Sequence, residues 1–223
     1  MEWRFYGPDA VLIQFADHVG DEAFERSRAL VAELERDPPS GLIEFVPAFT
    51  TLLLEFDPAL ATDLKATVSE LVDRLSKVAT QPLPQARLRE IPVVYDGPDL
   101  ERVAKAHQIS THEVCRLHCE PVYKVYCLGF VPGFPYLGDL NPRLHTPRLA
   151  TPRTRIPAGS VAIGGEHTGI YPVASPGGWN IIGHTDVAVF DPSRRDEQNG
   201  DSAAFLLCAG DRVKFIPATQ PVS

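Results

Sequence analysis

The N-terminal third of the chain switches between two hydrophobic periods. Residues 10–15 (AVLIQF) form a short apolar run of strand type. Residues 21–36 (DEAFERSRALVAELER) instead set Phe24, Leu30, Val31 and Leu34 at helical spacing, behind two acids suited to a helix start. Pro38-Pro39-Ser40-Gly41 stops that helix. Residues 42–46 and 51–56 read as two strands joined by a short Pro-containing turn. Residues 58–78 read as a second helix, with Leu60, Leu64, Val68, Leu71, Val72 and Leu75 along one side. The order β-α-β-β-α predicts a small antiparallel sheet backed by helices, an α+β domain over residues 1–84. No catalytic constellation falls in it, and it reads as a packing or partner-docking unit.

Residues 81–89 (QPLPQARLR) are a polar, Pro-bearing linker, and a second domain follows over residues 85–223. It opens on a strand at 90–95 (EIPVVY). Gly97-Pro98-Asp99 then starts one short helix, with Pro at an early position where its missing N–H costs nothing. Ser110 with Glu113 gives a second helix a capping-box pattern. The run VAKAHQISTHEVCRLH carries the apolar spacing of a helix-turn-helix through Val103, Ala104, Ile109 and Val114. Gln108 stands at its tight turn, where Gly is usual, and the recognition helix would hold one Arg, two His and a Glu. We therefore read a structural helical hairpin. His112, Cys115 and Cys119 fall on roughly one helix face at a spacing that three zinc ligands could use. No second Cys pair follows at finger-like spacing, so no metal is expected.

Residues 126–185 change character. Gly and Pro recur every few positions with aromatics between them, a density of breakers that no helix survives. Short apolar runs at 160–163 and 179–182 suit buried strands, so this is a β-rich body with long shaped loops, and such loops usually bind something. A strand at 187–190, a charged loop at 193–201 and a strand-turn-strand over 205–216 then close a barrel or sandwich.

Composition narrows the function classes. The 223-residue chain is 44% hydrophobic and 22% charged, ordinary for a globular protein. Its net charge of −8 argues against bulk binding to nucleic acid or an anionic membrane. No apolar run is long enough to span a bilayer, and the N-terminus has no signal design, so a cytoplasmic location is expected. The four cysteines would then be free thiols.

Several chemistries drop out. Gly164-Gly165-Glu166-His167-Thr168-Gly169 has glycines at P-loop spacing, but Ile170-Tyr171 follow where Lys and Ser or Thr are required. Ser160 lacks the second Gly of a nucleophile elbow. What remains suits holding an anion or polarising a carbonyl. Gly133, Gly159, Gly164, Gly165, Gly177 and Gly178 let backbone N–H groups approach a ligand. Arg148, Arg153 and Arg155 can grip a carboxylate or phosphate. His145, His167 and His184 are candidate proton carriers, and Phe130, Phe134, Tyr136 and Trp179 can wall off water.

The segments GFVPGFPYLGDL (129–140), ATPRTRIPAGSVAIGGEHTGIYP (150–172) and SPGGWNIIGHT (175–185) closely resemble the family of 5-oxoprolinase B subunits. That family also takes in the sporulation kinase inhibitor KipI and proteins called allophanate hydrolase subunit 1. The chain also resembles part of the carboxyltransferase domain of urea carboxylase. The resemblance implies a small N-terminal α+β domain followed by a cyclophilin-like β-barrel. It implies two partners in a 5-oxoprolinase complex, the C subunit, itself cyclophilin-like, and the A subunit. Together they open 5-oxoproline to glutamate with ATP and Mg2+ held by the assembled complex. The resemblance also carries a second reading, inhibition of a histidine kinase. Under the first reading His184, Arg155 and Arg153 are the expected catalytic residues. Phe134, Tyr136, Gly177, Gly178, Trp179, Arg148 and His167 are the expected substrate-binding residues. His167 and His184 depart from the family's pattern, which has Gln and Arg at those places.

Overall fold

The computed structural model describes residues 1–79, 86–194 and 201–218, and the chain divides into two compact units, Met1–Gln85 and Ala86–Ser223. Most of the expected linker and the centre of the charged loop at 193–201 lie outside the described residues. Both units are mixed α and β, and the second is barrel-like, as expected.

In the first unit, strands β1 (Glu2–Phe5), β2 (Ala10–Gln14), β3 (Leu42–Pro47) and β4 (Thr51–Phe56) form an antiparallel sheet in the order β1-β2-β4-β3. Helices α1 (Asp21–Arg36) and α2 (Leu64–Ser76) cover one face, burying Val11, Ile13, Leu52, Leu54 and Phe56 against Leu30, Leu34, Val68 and Leu75. Strand β1, whose residues are too mixed in polarity to signal a strand, pairs along β2 from Glu2↔Gln14 to Phe5↔Val11. Helix α2 begins later than its hydrophobic pattern suggests. The Asp63 side chain accepts from the Ala66 N–H at 3.0 Å and caps it there, which leaves Leu60 exposed ahead of the helix.

The second unit is a seven-stranded sheet in the order β12-β9-β10-β7-β6-β13-β5. Its members are β5 (Leu88–Val93), β6 (Tyr123–Leu128), β7 (Pro135–Gly138), β9 (Ser160–Gly164), β10 (His167–Ile170), β12 (Asn180–His184) and β13 (Arg212–Pro217). The two ends of this sheet meet. Just past β5, Val94 and His184 exchange N–H···O bonds of 2.9 Å each, and the Gly97 and Asp99 N–H groups donate to Ile182 and Ile181 O. That seam closes the barrel and removes its open edges. A two-stranded ribbon, β8 (Arg153–Ile156) with β11 (Ser175–Gly177), lies apart from the barrel sheet. Residues 187–190 and 205–208, read from sequence as strands, meet only through a single Phe190–Phe205 bridge.

One core cluster draws side chains from all seven barrel strands, among them Ile91, Val125, Leu137, Val161, Ile170, Ile182 and Phe215, so it is the interior. Helices α3 (Leu100–His107) and α4 (Thr111–Cys119) add Val103, Val114 and Leu117 to it. The cap predicted for α4 is present, with Ser110 Oγ accepting from the Glu113 N–H at 3.1 Å. The Glu113 carboxylate turns instead to Arg116 and Arg143. No helix among the described residues is long and apolar enough to cross a membrane.

His118 of α4 sits in this interior, fully buried and stacked on Phe215 with centroids 4.5 Å apart. Its bonding order follows from its neighbours. The Thr168 hydroxyl donates to Ala162 O at 3.0 Å, so His118 Nε2–H donates to Thr168 Oγ1 at 2.8 Å. Nδ1 therefore accepts from the Tyr95 hydroxyl at 2.6 Å, and Cys119 Sγ lies 3.0 Å beyond as donor to Tyr95. Burial pushes the imidazole down to about 3, so it stays neutral in the fold and protonates only on unfolding. A folded value below the unfolded one means stability is complete above about pH 6.5 and falls as pH drops toward 3. We expect this residue to account for about 2 kcal/mol of lost stability between pH 7 and pH 5. Urea denaturation of the parent and of His118→Gln at both pH values measures it: the variant should lose less stability on acidification. An identical loss in the two proteins contradicts the assignment.

Candidate functional site

Successive side chains on a strand face opposite ways. With Val161, Ile163, Thr168 and Ile170 turned inward, Ala162, Gly164, His167 and Gly169 face outside on β9 and β10, and Tyr136 does so on β7. On this outer face a second apolar cluster forms from Phe134, Ile156, Ala162, Tyr171, Trp179 and Ile181. Its rings meet edge to face. Phe134 lies 5.1 Å from Tyr136, 5.1 Å from Tyr171 and 5.4 Å from Trp179, at interplanar angles of 66°, 75° and 85°. Two glycines make this possible. A methyl group at Gly164 would stand 2.7 Å from the Trp179 ring, and one at Gly169 would stand 2.8 Å from Phe134. The Trp179 face and the Phe134 edge pack directly on bare backbone.

Phe134, Tyr171 and Trp179 are buried and form a floor, while Tyr136 is half-buried and Arg148 exposed at its margin. The guanidinium of Arg148 lies over the Trp179 ring, 5.9 Å from its centroid. The loop that carries it is tied down on both sides: Asn180 Nδ2 donates to Pro147 O at 3.0 Å and the Leu149 N–H donates to Gly178 O at 2.7 Å. Asn180 is fully buried, also donates to Ile163 O at 3.2 Å and accepts from Arg102. No described carboxylate lies within ion-pair reach of Arg148. A cation held in place over an aromatic ring, with no described acid to neutralise it, suits an anionic ligand.

His167 faces the same surface from β10, directly across from Gly164. Its pKa is lowered, chiefly by burial, with Arg148 and His145 adding to the effect and Glu166 and Asp139 opposing it. The imidazole is therefore neutral near pH 7 and can accept a proton. Beside it the Tyr126 hydroxyl donates to Asp139 Oδ1 at 2.9 Å, and the Tyr126 ring stands 6.4 Å from the His167 ring. Burial first, and Asp139 next, push the Tyr126 hydroxyl up to about 12. Lys124, a buried lysine, places Nζ 5.5 Å from the Tyr126 ring, and burial and Arg212 lower its pKa. One outer strip of the barrel thus carries an aromatic half and an ionisable half, and Arg148 stands where they join.

Five of the ten expected site residues come together here: Phe134, Tyr136, Arg148, His167 and Trp179. Gly177 and Gly178 lie at the edge, where they serve the protein: the Tyr171 hydroxyl fills the space beside Gly177, and Gly178 O holds Leu149. Arg153 is engaged elsewhere. Its two terminal nitrogens donate to the two oxygens of Asp99 at 2.8 Å each, and the Ile181 N–H donates to the same carboxylate at 2.8 Å. Arg155 is exposed on β8. His184 pairs with Ser160 at the far end of β9 from Gly164, about 13 Å along the strand, and its Nδ1 lies 2.8 Å from Asp96.

The residues that sequence reasoning misses are Asp99, Asn180, Tyr126, Asp139 and Lys124. Asp99 reads locally as a helix opener, and nothing near it announces a partner 54 positions later. Lys124 and Tyr126 alternate with Tyr123 and Val125 on β6, and that alternation is the available signal. No group of three or more metal-ligating side chains occurs among the described residues. Among the described residues, none of the four helices offers a free N-terminus to a phosphate, since each carries a carboxylate at its cap or in its first turn. The Gly164–Gly169 segment is a β-hairpin rather than a loop leading into a helix.

A family model described as carboxyltransferase domain, subdomain C and D, matches residues 1–199. Among curated proteins, the 5-oxoprolinase B subunit of Bacillus subtilis is 39% identical, covering 96% of this chain and 91% of its own. The 5-oxoprolinase B subunit of Escherichia coli O157:H7 is 41% identical, covering 97% and 95%. Among solved structures, TTHA0988 superposes with a TM-score of 0.79 at 42% identity over all of this chain, which spans only 41% of that one. The urea carboxylase of Kluyveromyces lactis gives a TM-score of 0.82 at 22% identity over 97% of this chain and 22% of its own, a likeness of fold alone.

The geometry separates two arginines that the sequence treats alike. Replacing Arg153 with Ala strands the buried Asp99 carboxylate and should cost about 3 kcal/mol of stability. Replacing the exposed Arg155 with Ala should change stability by less than about 0.5 kcal/mol. Urea denaturation of both variants checks this, and equal effects would contradict the placement.

Proposed function

The chain belongs to the family of the carboxyltransferase domain, subdomains C and D, and from that premise we propose that it is the B subunit of an ATP-dependent 5-oxoprolinase. Its relatives along nearly the whole length carry that name. The observation that carries the reading at the level of the site is Arg148, a cation held over Trp179 on the face that also carries Tyr136 and a neutral His167, with no described carboxylate to neutralise it.

5-Oxoproline is a small cyclic amide bearing a carboxylate. In this reading Arg148 receives the carboxylate in a bidentate contact, and the floor of Phe134, Tyr171 and Trp179 keeps water from the ring face. Opening the ring requires a water to reach the amide carbon and a proton to reach the departing nitrogen. His167, neutral near pH 7, takes the proton of the attacking water and returns it to the ring nitrogen. The Tyr126–Asp139 pair stands against His167 and fixes its setting. Arg153 positions strand and ribbon through Asp99, while His184 and Arg155 lie outside the reacting group.

ATP supplies the driving force when bound. The helix starts and the Gly164–Gly169 hairpin of this chain do not fit a triphosphate, so nucleotide and Mg2+ are assigned to a partner in the complex. The chain alone is then inactive, and the A-type and C-type partners complete the enzyme.

Mixing the chain with those partners should give 5-oxoproline opening that depends on ATP. In the mixture Arg148→Ala should lower kcat/KM by about 100-fold, the loss of one charged bidentate contact, with the melting midpoint unchanged. Full turnover by Arg148→Ala would exclude this site.

A further inference from the structure

Phe130 holds the left-handed backbone conformation, with φ of 67°, which a bulky side chain rarely takes. The Val131 N–H donates to Gly129 O at 2.8 Å and closes a three-residue turn with Phe130 at its centre, a γ-turn of the strained hand. The turn is pinned from both ends. The Gly129 N–H donates to Phe134 O and the Phe134 N–H donates to Val131 O, both at 3.1 Å. Burial does not offset the strain, because the Phe130 side chain is 57% exposed. Strain kept without a packing return is concentrated at functional positions.

The ring's direction says what that position does. It stands edge-on to Phe134 at 5.6 Å and to Tyr171 at 6.4 Å, with interplanar angles of 80° and 90°. Phe134 touches Trp179 on its other side, so the floor runs from Phe130 through Phe134 to Trp179 and Arg148. A ring meant only to anchor another protein need not lean onto the rings that floor the site.

We propose that Phe130 is a substrate-contacting residue that sets specificity, its ring covering the hydrocarbon edge of a small cyclic-amide acid whose carboxylate is held by Arg148. This rests on the function proposed above. The strained turn holds the ring at the end of the floor, where it flanks a compact ring lying on Phe134 and Trp179 and leaves less length for an open-chain amide.

Two substitutions separate the ring from the strain. Both Phe130→Ala and Phe130→Gly remove the ring, but only alanine keeps a side chain in the left-handed region. In the reconstituted complex both should raise KM for 5-oxoproline about tenfold while kcat changes less. In the isolated chain the glycine variant should melt about 2–4 °C above the alanine variant. A glycine variant that melts below the alanine one overturns the strain argument. Unchanged KM with weakened binding of the partner chains makes the ring a protein anchor and overturns the proposal. If Arg148→Ala loses turnover while both Phe130 variants match the parent, the function stands and the role of Phe130 falls. If the parent complex does not open 5-oxoproline, both fall.

Discussion

One carboxylate does most to hold the second unit in register. Asp99 takes two N–H groups from Arg153 and one from the Ile181 backbone, joining the start of α3, the β8 ribbon and β12. An acid at a helix start ordinarily caps its own helix, but this one has no such bond because its oxygens are used across the fold. Its own N–H also donates to Ile181 O, in the run of bonds that closes the seam beyond Val94 and His184. Fixing Ile181 fixes Asn180 and Trp179 just before it. Asn180 then holds the Pro147 carbonyl, and Arg148 comes to rest over the Trp179 ring. The position of the exposed arginine follows from a partly buried ion pair some distance away.

The floor beneath that arginine depends on a different balance. Edge-to-face aromatic contacts contribute about 0.5–1.5 kcal/mol each beyond the area they bury, but only when the rings can approach. Gly164 and Gly169 supply that approach by having no side chain on the outer face. The same strands direct Ile163 and Ile170 inward, so one pair of neighbouring strands serves the barrel core and the site floor with alternate residues. Few positions on β9 and β10 are then free to vary without disturbing one of the two.

The sequence made the local features legible. Period and punctuation revealed α1, the strands β2 to β4 of the first sheet, the α3–α4 hairpin and the Ser110 cap, because each depends on residues a few positions apart. Helix α2 is legible too, but its pattern starts too early, since an apolar Leu60 does not reveal that Asp63 will claim the first N–H groups. The aromatic floor and Arg148 are visible as unusual residues between breakers, and the closed barrel is expected from a family resemblance as much as from period. What stays hidden is the long-range pairing. Arg148, Arg153 and Arg155 look equivalent in RLATPRTR, and only the fold shows one over a tryptophan, one bound to Asp99 and one exposed. The glycines read as room for a ligand; at 133, 164 and 177 that room is filled by the protein's own aromatic side chains.

The central claim is that the outer strip of the barrel, from Trp179 and Arg148 to His167, is the surface that meets the substrate. A crystal structure of the assembled complex with 5-oxoproline bound tests it most directly. The account predicts the substrate carboxylate on the Arg148 guanidinium and the amide ring over the aromatic floor, within reach of His167. Substrate enclosed entirely by another chain of the complex, with Arg148 facing solvent or a partner's carboxylate, would contradict it.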